Sequence, residues 1–317
     1  MQLQEACTGR YLPQGDTVNI FGEEVTKYIA SVEARRRKGG KLPPAFDTGY
    51  DAPFWGARLI WTTLRSQPKA EVRENMRICL EVTQQYPQWI GGYDLVGFED
   101  GGRSLQDHLP DLLWLQDEAK RRGLDLPFFL HAGETLGDGT HADQNLLDAL
   151  LLGCKRLGHG FALYKHPVLM RMAKRQGVCL EICPISNEIL RLTGPSVLTH
   201  PLPAYLAAGL QVGIGNDDPG VLGHGCTGAV SHDWWQVGMA FGGVGGAGLG
   251  KLAETSVRFA GFWEGKEGGV GEMGGMVGWR GEMVREWERE WERWVRWVVG
   301  EFGVWEGVGG GGSSRGS

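Results

Sequence analysis

A histidine and a glutamate stand three residues apart at the end of a strongly apolar run. His131 closes the run that begins at Phe128, and Glu134 follows after two small residues. The run predicts a buried strand, so His131 would lie at its end and Glu134 in the loop beyond it. This arrangement brings a metal ligand and a proton carrier close together, as metal-assisted hydrolysis requires.

Further polar segments follow other apolar runs. The glycines beside His159 would let its ring face a cavity, and the adjacent Asp217 and Asp218 would point in different directions, one toward a cation and the other toward a substrate. Taken singly, each has an ordinary alternative, a hydrogen-bonded core histidine or a helix-cap aspartate. Their order at successive strand ends favours one shared site. The segments are Gly92–Asp100, Arg156–Gly160, Cys183–Asn187 and Gly215–Pro219.

The elements that would position these residues alternate between strand and helix from about Gly56 to Asp218, which predicts βα units and a parallel sheet. A doubly wound sheet would gather ligands at one switch point, whereas a (β/α)₈ barrel gathers them from many strand ends. We therefore predict an α/β fold, a TIM-type (β/α)₈ barrel that lacks its first strand. The predicted strands are Ala57–Trp61, Gly92–Val96, Pro127–His131, Arg156–His159, Val178–Cys183 and Gln211–Gly215, with Thr17–Phe21 or the first few residues as a further candidate.

The whole chain divides into three predicted regions. Residues 1–55 are rich in glycine and proline, which predicts an irregular N-terminal remnant. Residues 56–300 are predicted to form the barrel with its C-terminal covering helices. Residues 301–317 are predicted to form a Gly/Ser-rich disordered tail. Within Met283–Val299, an apolar stripe at helical spacing predicts core packing rather than a ligand platform or membrane face. The stripe consists of Trp287, Trp291, Trp294 and Val298.

Composition excludes several classes of protein. The formal net charge is −6 and the pI about 5.8, which argues against a nucleic-acid surface. No apolar stretch reaches the length of a membrane span, and the N-terminus shows no signal peptide. The six cysteines form no CxxC pair. Cys179 and Cys183 lie in an apolar run and are predicted to be small buried side chains. The cysteines do not indicate in which cellular compartment the protein resides.

Five segments of the chain, taken together and in this order, resemble the adenosine deaminase family, specifically its growth-factor-like, secreted branch. The matching runs are GYDLVGFED, FFLHAGETLGDGT, KRLGHGFALYKHP, CLEICPISNEILRL and GNDDPG. The resemblance covers roughly residues 55–260. It implies a zinc-dependent (β/α)₈ barrel of the metal-dependent hydrolase kind that converts adenosine or 2'-deoxyadenosine to inosine or 2'-deoxyinosine, respectively, and ammonia.

The resemblance also implies a role for each matching residue. Two are expected to act in catalysis, two to bind the purine and two to bind zinc. Glu134 would protonate purine N1, His159 would orient the attacking water and accept its proton, Gly97 would offer a backbone contact to the purine edge, Asp218 would bond to purine N7, and His131 and Asp217 would ligate zinc.

One part of the family pattern is absent from this chain. The family opens with a His-x-His pair on its first barrel strand, and the first 107 residues contain no histidine. We therefore expect the chain to begin after that strand and its single zinc site to be incomplete, because catalytic zinc takes three protein ligands. The corresponding hypothesis is weak zinc binding and slow or absent turnover.

Several functional alternatives stay open. The chain could be a catalytically impaired nucleoside-binding remnant, a fragment of a longer protein, or a deaminase of AMP or a modified adenosine, although no Arg/Lys phosphate clamp favours a phosphorylated substrate. The expected partner is a small purine nucleoside, without nucleic acid or membrane, and a homodimer stays open. The resemblance implies an extracellular location, whereas the sequence gives no export signal.

Overall fold

In the part of the chain that the structure describes, six parallel strands form the centre of the fold. A computed structural model describes residues 11–37, 54–194, 196–222, 229–262 and 280–303. A two-stranded sheet, β1-β2, continues into a four-stranded sheet, β3-β4-β5-β6, through a bridge between Tyr93 and Phe128. The strands are β1 Leu59–Leu64, β2 Ile90–Val96, β3 Phe129–Ala132, β4 Arg156–His159, β5 Cys179–Ile182 and β6 Gln211–Ile214.

Helices alternate with these strands and cover the sheet. Among the described residues β6 and β1 share no ladder, so the architecture is a partial (β/α) barrel. The predicted α/β class and parallel order are confirmed, and each predicted strand overlaps an observed one. The helices are α1 Gln14–Arg37, α2 Lys69–Gln85, α3 Leu109–Arg121, α4 His141–Leu151, α5 Pro167–Gln176, α6 Pro184–Ile189, α7 Leu202–Ala208, α8 Ala229–Ala240, α9 Gly245–Arg258 and α10 Arg280–Phe302.

Register across the four-stranded sheet separates core side chains from site side chains. One row of paired residues is apolar and almost fully buried, and it consists of Leu130, Leu157, Leu180 and Val212. The next row points to the opposite face, because side chains alternate along a strand. That row begins with His131, which pairs with Gly158. The missing side chain of Gly158 leaves room for the imidazole, since a Cβ there would lie 3.0 Å from His131 Nδ1.

The prediction that residues 1–55 are irregular is wrong over Gln14–Arg37, which forms helix α1. Its buried face consists of Val18, Val25, Ile29 and Val32, a helical spacing that the neighbouring glycines obscured. The candidate strand Thr17–Phe21 is wrong for the same reason. Gly22 is required by packing, because a Cβ at this position would overlap the Trp89 indole. The first ten residues lie outside the described part of the chain.

The tryptophan stripe of α10, which was predicted to pack in the core, is half-buried and packs against α9. Trp291 stacks on Trp287 and Trp294, with ring centroids 5.6 and 4.8 Å apart. Its indole also lies directly over Gly250 of α9. The stripe is therefore a helix–helix contact. Residues 304–317, most of the predicted tail, lie outside the described residues, and Glu301–Phe302 still belong to α10.

Candidate active site

All six predicted site residues lie at the carboxyl ends of strands. Gly97 follows β2, His131 and Glu134 lie at the end of β3, and His159 ends β4. Asp217 and Asp218 follow β6. The structure brings potential ligand atoms of His131, His159 and Asp217 within 4.8 Å of one another. Gly97 and Asp218 lie at the same edge of the sheet, and their contacts to a purine remain predictions.

His131 is held by a carboxylate from the neighbouring strand. Asp94 of β2 accepts hydrogen bonds from the His131 backbone N–H at 2.8 Å and from its Nδ1 at 2.6 Å. With Nδ1 donating to Asp94, Nε2 is the ring nitrogen left to bind a metal ion, an arrangement common at zinc sites. Burial lowers the pKa of His131, but Asp94, Glu134 and Glu99 outweigh it and raise that pKa to about 10. A metal ion would therefore displace a proton when it binds.

Glu134 is positioned through its backbone. The buried Glu99 carboxylate accepts hydrogen bonds from the backbone N–H groups of Gly133 at 3.1 Å and Glu134 at 2.9 Å. Glu99 is in turn paired with the fully buried Arg65, whose Nη1 lies 3.7 Å from it. Arg65 Nη2 also donates to the His131 carbonyl at 2.9 Å, so one guanidinium supports both site residues.

The side chain of Glu134 lies in a poorly solvated position. Its carboxyl is only 12% exposed, and Oε1 lies 3.2 Å from His159 Nδ1. Burial raises the pKa of Glu134 to about 8; His131 opposes the rise, whereas Glu99 and Asp217 add to it. Most of the Glu134 population is consequently protonated at neutral pH, which is the state that a proton donor needs.

His159 reaches the site through an unusual backbone conformation. On a regular strand it would share the face of Leu157, opposite His131. Its φ of +61° is left-handed, and this conformation brings the two imidazole rings to a centroid distance of 4.9 Å. Left-handed backbone is rare outside glycine and clusters at functional sites. Burial lowers the pKa of His159, and His131 lowers it further.

Asp217 shows the same backbone feature on the opposite side of the cluster. Its φ is +69°. Its Oδ2 accepts a hydrogen bond from Ser186 Oγ at 2.7 Å, which leaves the second carboxylate oxygen for another partner. Asp217 is exposed, whereas His159 is buried, so the cluster opens toward solvent on the Asp217 side. Ser186 comes from α6, directly after β5, and so links β5 to the site.

Supporting residues account for what sequence reasoning missed. The segments Gly92–Asp100 and Cys183–Asn187 contain most of them, but residue types alone did not assign a contact. Arg65 lies outside both segments and was missed altogether. Three successive acidic groups, Asp94, Glu99 and Asp100, hold successive parts of the segment His131–Thr135, the last through a hydrogen bond from Thr135 Oγ1 at 2.5 Å. The available signal was an acidic strand end next to the strand end that carries His131 and Glu134.

The donor set suits a transition-metal ion. Imidazole nitrogen and carboxylate oxygen are the ligands that zinc takes in hydrolytic sites. His131 is already oriented by Asp94, and one oxygen of Asp217 is available. The residues present therefore fit a divalent metal. The candidate ligands among the described residues are His131, Asp217 and, by distance alone, His159.

Sequence comparison identifies the family. The profile of the adenosine deaminase family matches residues 41–267. The chain belongs to the adenosine deaminase family. Adenosine deaminase 2 from Sus scrofa is 37% identical over 244 residues, which are 76% of this chain and 44% of the relative. Adenosine deaminase 2-A from Danio rerio is 41% identical over 205 residues, 65% of this chain and 39% of the relative. The chain thus spans less than half the length of these curated relatives.

Solved structures of deaminases and amidohydrolases share the fold of this deaminase-family chain. An adenine deaminase from Arthrobacter aurescens superimposes with a TM-score of 0.55 and 24% identity, over 75% of this chain and 62% of its own. An amidohydrolase from Burkholderia ambifaria, solved with bound zinc, gives a TM-score of 0.58 and 19% identity, over 78% and 60% of the two chains. These similarities support the predicted barrel class. None of the described helices is both long and apolar enough to cross a bilayer.

Proposed function

We propose that this chain carries the active centre for zinc-dependent hydrolytic deamination of adenosine or 2'-deoxyadenosine to inosine or 2'-deoxyinosine, respectively, and ammonia. The observation that carries the proposal is the convergence of His131, Glu134, His159 and Asp217 at the carboxyl edge of a parallel sheet in a member of the adenosine deaminase family. These residue types supply metal ligands and proton carriers in one place. The names of the curated relatives support the substrate class.

In this proposal His131 and Asp217 hold the zinc ion. Zinc bound between them would lower the pKa of a coordinated water and favour its attack at neutral pH. The zinc found in the Burkholderia ambifaria amidohydrolase supports the choice of metal. Asp94 already fixes the orientation of the His131 ring, and Ser186 holds one carboxylate oxygen of Asp217.

The remaining residues act on the purine and on the water. Glu134, with its raised pKa, is the proton donor to purine N1, which relieves the charge that builds on the ring during attack. His159 orients the attacking water from the buried side of the cluster. Gly97 offers its backbone to the purine edge, and Asp218 forms a hydrogen bond with purine N7. The partner is accordingly a small purine nucleoside, and the family resemblance favours an extracellular location.

A catalytically impaired nucleoside-binding protein is the second candidate. It is favoured by the ligand set of the described residues, in which His131 and Asp217 are joined only by His159. If His159 completed the metal shell, it would no longer be available to orient water. Zinc would then bind without efficient turnover.

Ammonia release from adenosine separates these functions. Purified protein is supplied with zinc, and its ammonia release is compared with that of Glu134→Gln and of the exposed control Glu74→Gln. We expect Glu134→Gln to lower the rate roughly 10²-fold or more, and Glu74→Gln to leave it unchanged. Zinc-loaded, folded protein that binds adenosine in a calorimeter but releases no ammonia would overturn the enzymatic proposal in favour of the binding protein.

A further inference from the structure

A chain of hydrogen bonds connects the start of α7 to His159. The backbone N–H of Leu202 donates to His200 Nδ1 at 3.0 Å. His200 Nε2 lies 3.1 Å from Asn187 Oδ1, and Asn187 Nδ2 lies 3.3 Å from His159 Nδ1. Water has little access to any of these side chains, since their exposed fractions are 3% for His200, 0% for Asn187 and 3% for His159.

The direction of every bond in this chain follows from its first member. A backbone N–H can only donate, so His200 Nδ1 must be the acceptor and a neutral His200 must carry its hydrogen on Nε2. That hydrogen requires Asn187 to present its oxygen to His200, which turns the amide nitrogen toward His159. An amide nitrogen can only donate, so His159 Nδ1 must be an acceptor. A neutral imidazole with an acceptor Nδ1 carries its hydrogen on Nε2.

Flipping the amide does not offer an equally good arrangement. With Asn187 reversed, its nitrogen would face His200 Nε2, which would then have to accept, and the ring hydrogen would move to Nδ1 against the Leu202 N–H. Two donors would be in contact in a buried place, which is costly. Burial also lowers the pKa of His200 to about 4, so this ring is neutral at physiological pH.

The competing arrangement involves Glu134, whose Oε1 lies 3.2 Å from the same His159 Nδ1. The ionised minority of Glu134 could accept a hydrogen from Nδ1 at this distance. However, that hydrogen would then face Asn187 Nδ2 at 3.3 Å, again placing two donors together. The hydrogen-bond chain anchored at Leu202 therefore favours an unprotonated Nδ1.

We propose that His200 and Asn187 are positioning residues that hold His159 in its Nε2–H tautomer. In this tautomer neither ring nitrogen has a lone pair left for a metal ion, since Nδ1 is occupied by Asn187 and Nε2 carries hydrogen. His159 is thereby excluded from the ligand set and presents an N–H donor to the oxygen of the attacking water. In the resting enzyme it consequently does not accept the proton of that water, which revises the expected role. The catalytic role of this tautomer rests on the proposed function, whereas the assignment of the tautomer itself does not.

Nuclear magnetic resonance reads this tautomer directly. The full chain is labelled with ¹⁵N-histidine, and long-range ¹H–¹⁵N correlations are recorded at pH 7.5 without metal; the His159 signals are assigned by their loss in His159→Gln. We expect the pattern of a neutral ring with hydrogen on Nε2. A ring with hydrogen on Nδ1, or a doubly protonated ring, overturns the proposal. The wild-type spectrum alone therefore decides it.

Asn187→Asp is the variant that tests the relay as the cause. An aspartate still accepts from His200 Nε2, but its second oxygen now faces His159 and draws a hydrogen onto Nδ1. We expect the His159 pattern to change to Nδ1–H in this variant, while the His200 pattern stays the same. Asn75→Asp is the matched control, because Asn75 lies on α2 and also accepts a hydrogen bond through its amide oxygen, from Trp61 Nε1 at 2.6 Å. We expect this variant to leave the His159 pattern unchanged. A His159 pattern that is the same in Asn187→Asp and wild type contradicts the relay.

Two additions to the same samples separate this inference from the proposed function. One equivalent of zinc is expected to shift the His131 signals and to leave the His159 tautomer intact; zinc-induced loss of its Nε2–H hydrogen would show that His159 is a ligand and overturn the assignment. Ammonia release from adenosine is measured in parallel. The predicted tautomer without ammonia release would sink the proposed function and leave the relay standing.

Discussion

Asp94 determines what His131 offers to a metal ion. Its carboxylate accepts from both the backbone N–H and the Nδ1 of His131, so one group fixes the position of the residue and the orientation of its ring. In Asp94→Asn only one oxygen remains, and the amide nitrogen must face one of the two donors. We expect zinc affinity to fall roughly tenfold to a hundredfold, as for other carboxylates that orient a ligating histidine. Isothermal titration calorimetry measures this change.

The control for this prediction is Asp117→Asn, an exposed aspartate of α3. It changes the net charge by the same amount and is expected to leave zinc affinity unchanged. Equal affinities for Asp94→Asn and wild type would show that Asp94 does not prepare His131 for metal.

His200 makes stability depend on pH. Burial lowers its folded-state pKa to about 4 from an ordinary value of 6.5. As pH falls below 6.5 the unfolded chain takes up a proton that the folded chain refuses, so stability is full above that pH and declines toward pH 4. From pH 7 to pH 5 the loss is about 2 kcal/mol. Urea unfolding across this range measures it.

His200→Asn separates this histidine from the other titrating groups. The asparagine oxygen can still accept from the Leu202 N–H, but the side chain does not titrate. We expect the variant to be less stable than wild type at pH 7 and to lose about 2 kcal/mol less between pH 7 and pH 5. Parallel pH profiles for the two proteins would exclude His200 as the source.

The residues of the candidate site could be predicted from type and spacing, but their supports could not. His131, Glu134, His159 and Asp217 stand directly at strand ends, and strand ends can be read from apolar runs. The role of Asn187 depends on His200 and Leu202, which reach it from beyond α6. No local pattern specifies that approach. The left-handed backbone of His159 was equally invisible, although its flanking glycines hinted at it.

At the scale of elements, the largest error in a predicted strand boundary arose where polar side chains are buried and hydrogen-bonded within a strand. The sequence predicted Ala57–Trp61, whereas β1 spans Leu59–Leu64. The extension contains Thr62 and Thr63, which look like a loop. Thr63 is nevertheless buried, and its hydroxyl donates to Asn75 Oδ1 at 3.0 Å. Helix α1 was missed for a related reason, because glycines and charged residues interrupt the apolar spacing of its buried face.

The contact between α9 and α10 depends on a glycine. A Cβ on Gly250 would lie 2.4 Å from the Trp291 ring, which is itself stacked between two other indoles and has little freedom to move. Gly250→Ala gains helix propensity, but the clash forces the helices apart. We expect a net loss of about 1–3 kcal/mol in the free energy of unfolding, measured by urea titration.

Gly300→Ala is the comparison for this element. Gly300 lies in α10 with no atom within 4 Å of its added Cβ, so only the helix propensity changes. Its stability is expected to rise by roughly 0.5–1 kcal/mol. If both variants shift stability in the same direction, the close approach of α9 and α10 at Gly250 does not matter energetically.

For the whole molecule, arginines at the amino end of the sheet join distant parts of the chain. Arg58, just before β1, donates to the carbonyls of Pro87 at 2.9 Å, Gln88 at 3.0 Å and Gly261 at 2.6 Å. Arg156, at the start of β4, donates to the Phe259 carbonyl at 3.1 Å. The segment after α9 therefore ties the two-stranded sheet to the four-stranded sheet, at the edge opposite the candidate active site.

This opposition predicts a separation of stability from function. In barrel folds the amino edge of the sheet serves stability and the carboxyl edge serves chemistry. Arg58→Lys keeps the charge but reaches fewer of the buried carbonyls, so it is expected to destabilise the chain by about 3 kcal/mol. The exposed control Arg77→Lys on α2 leaves the urea midpoint unchanged. Zinc affinity, measured by calorimetry at a temperature where each variant is folded, is expected to be equal for Arg58→Lys and wild type. A folded Arg58→Lys protein of wild-type stability but weaker zinc binding would show that the two edges of this sheet are not independent.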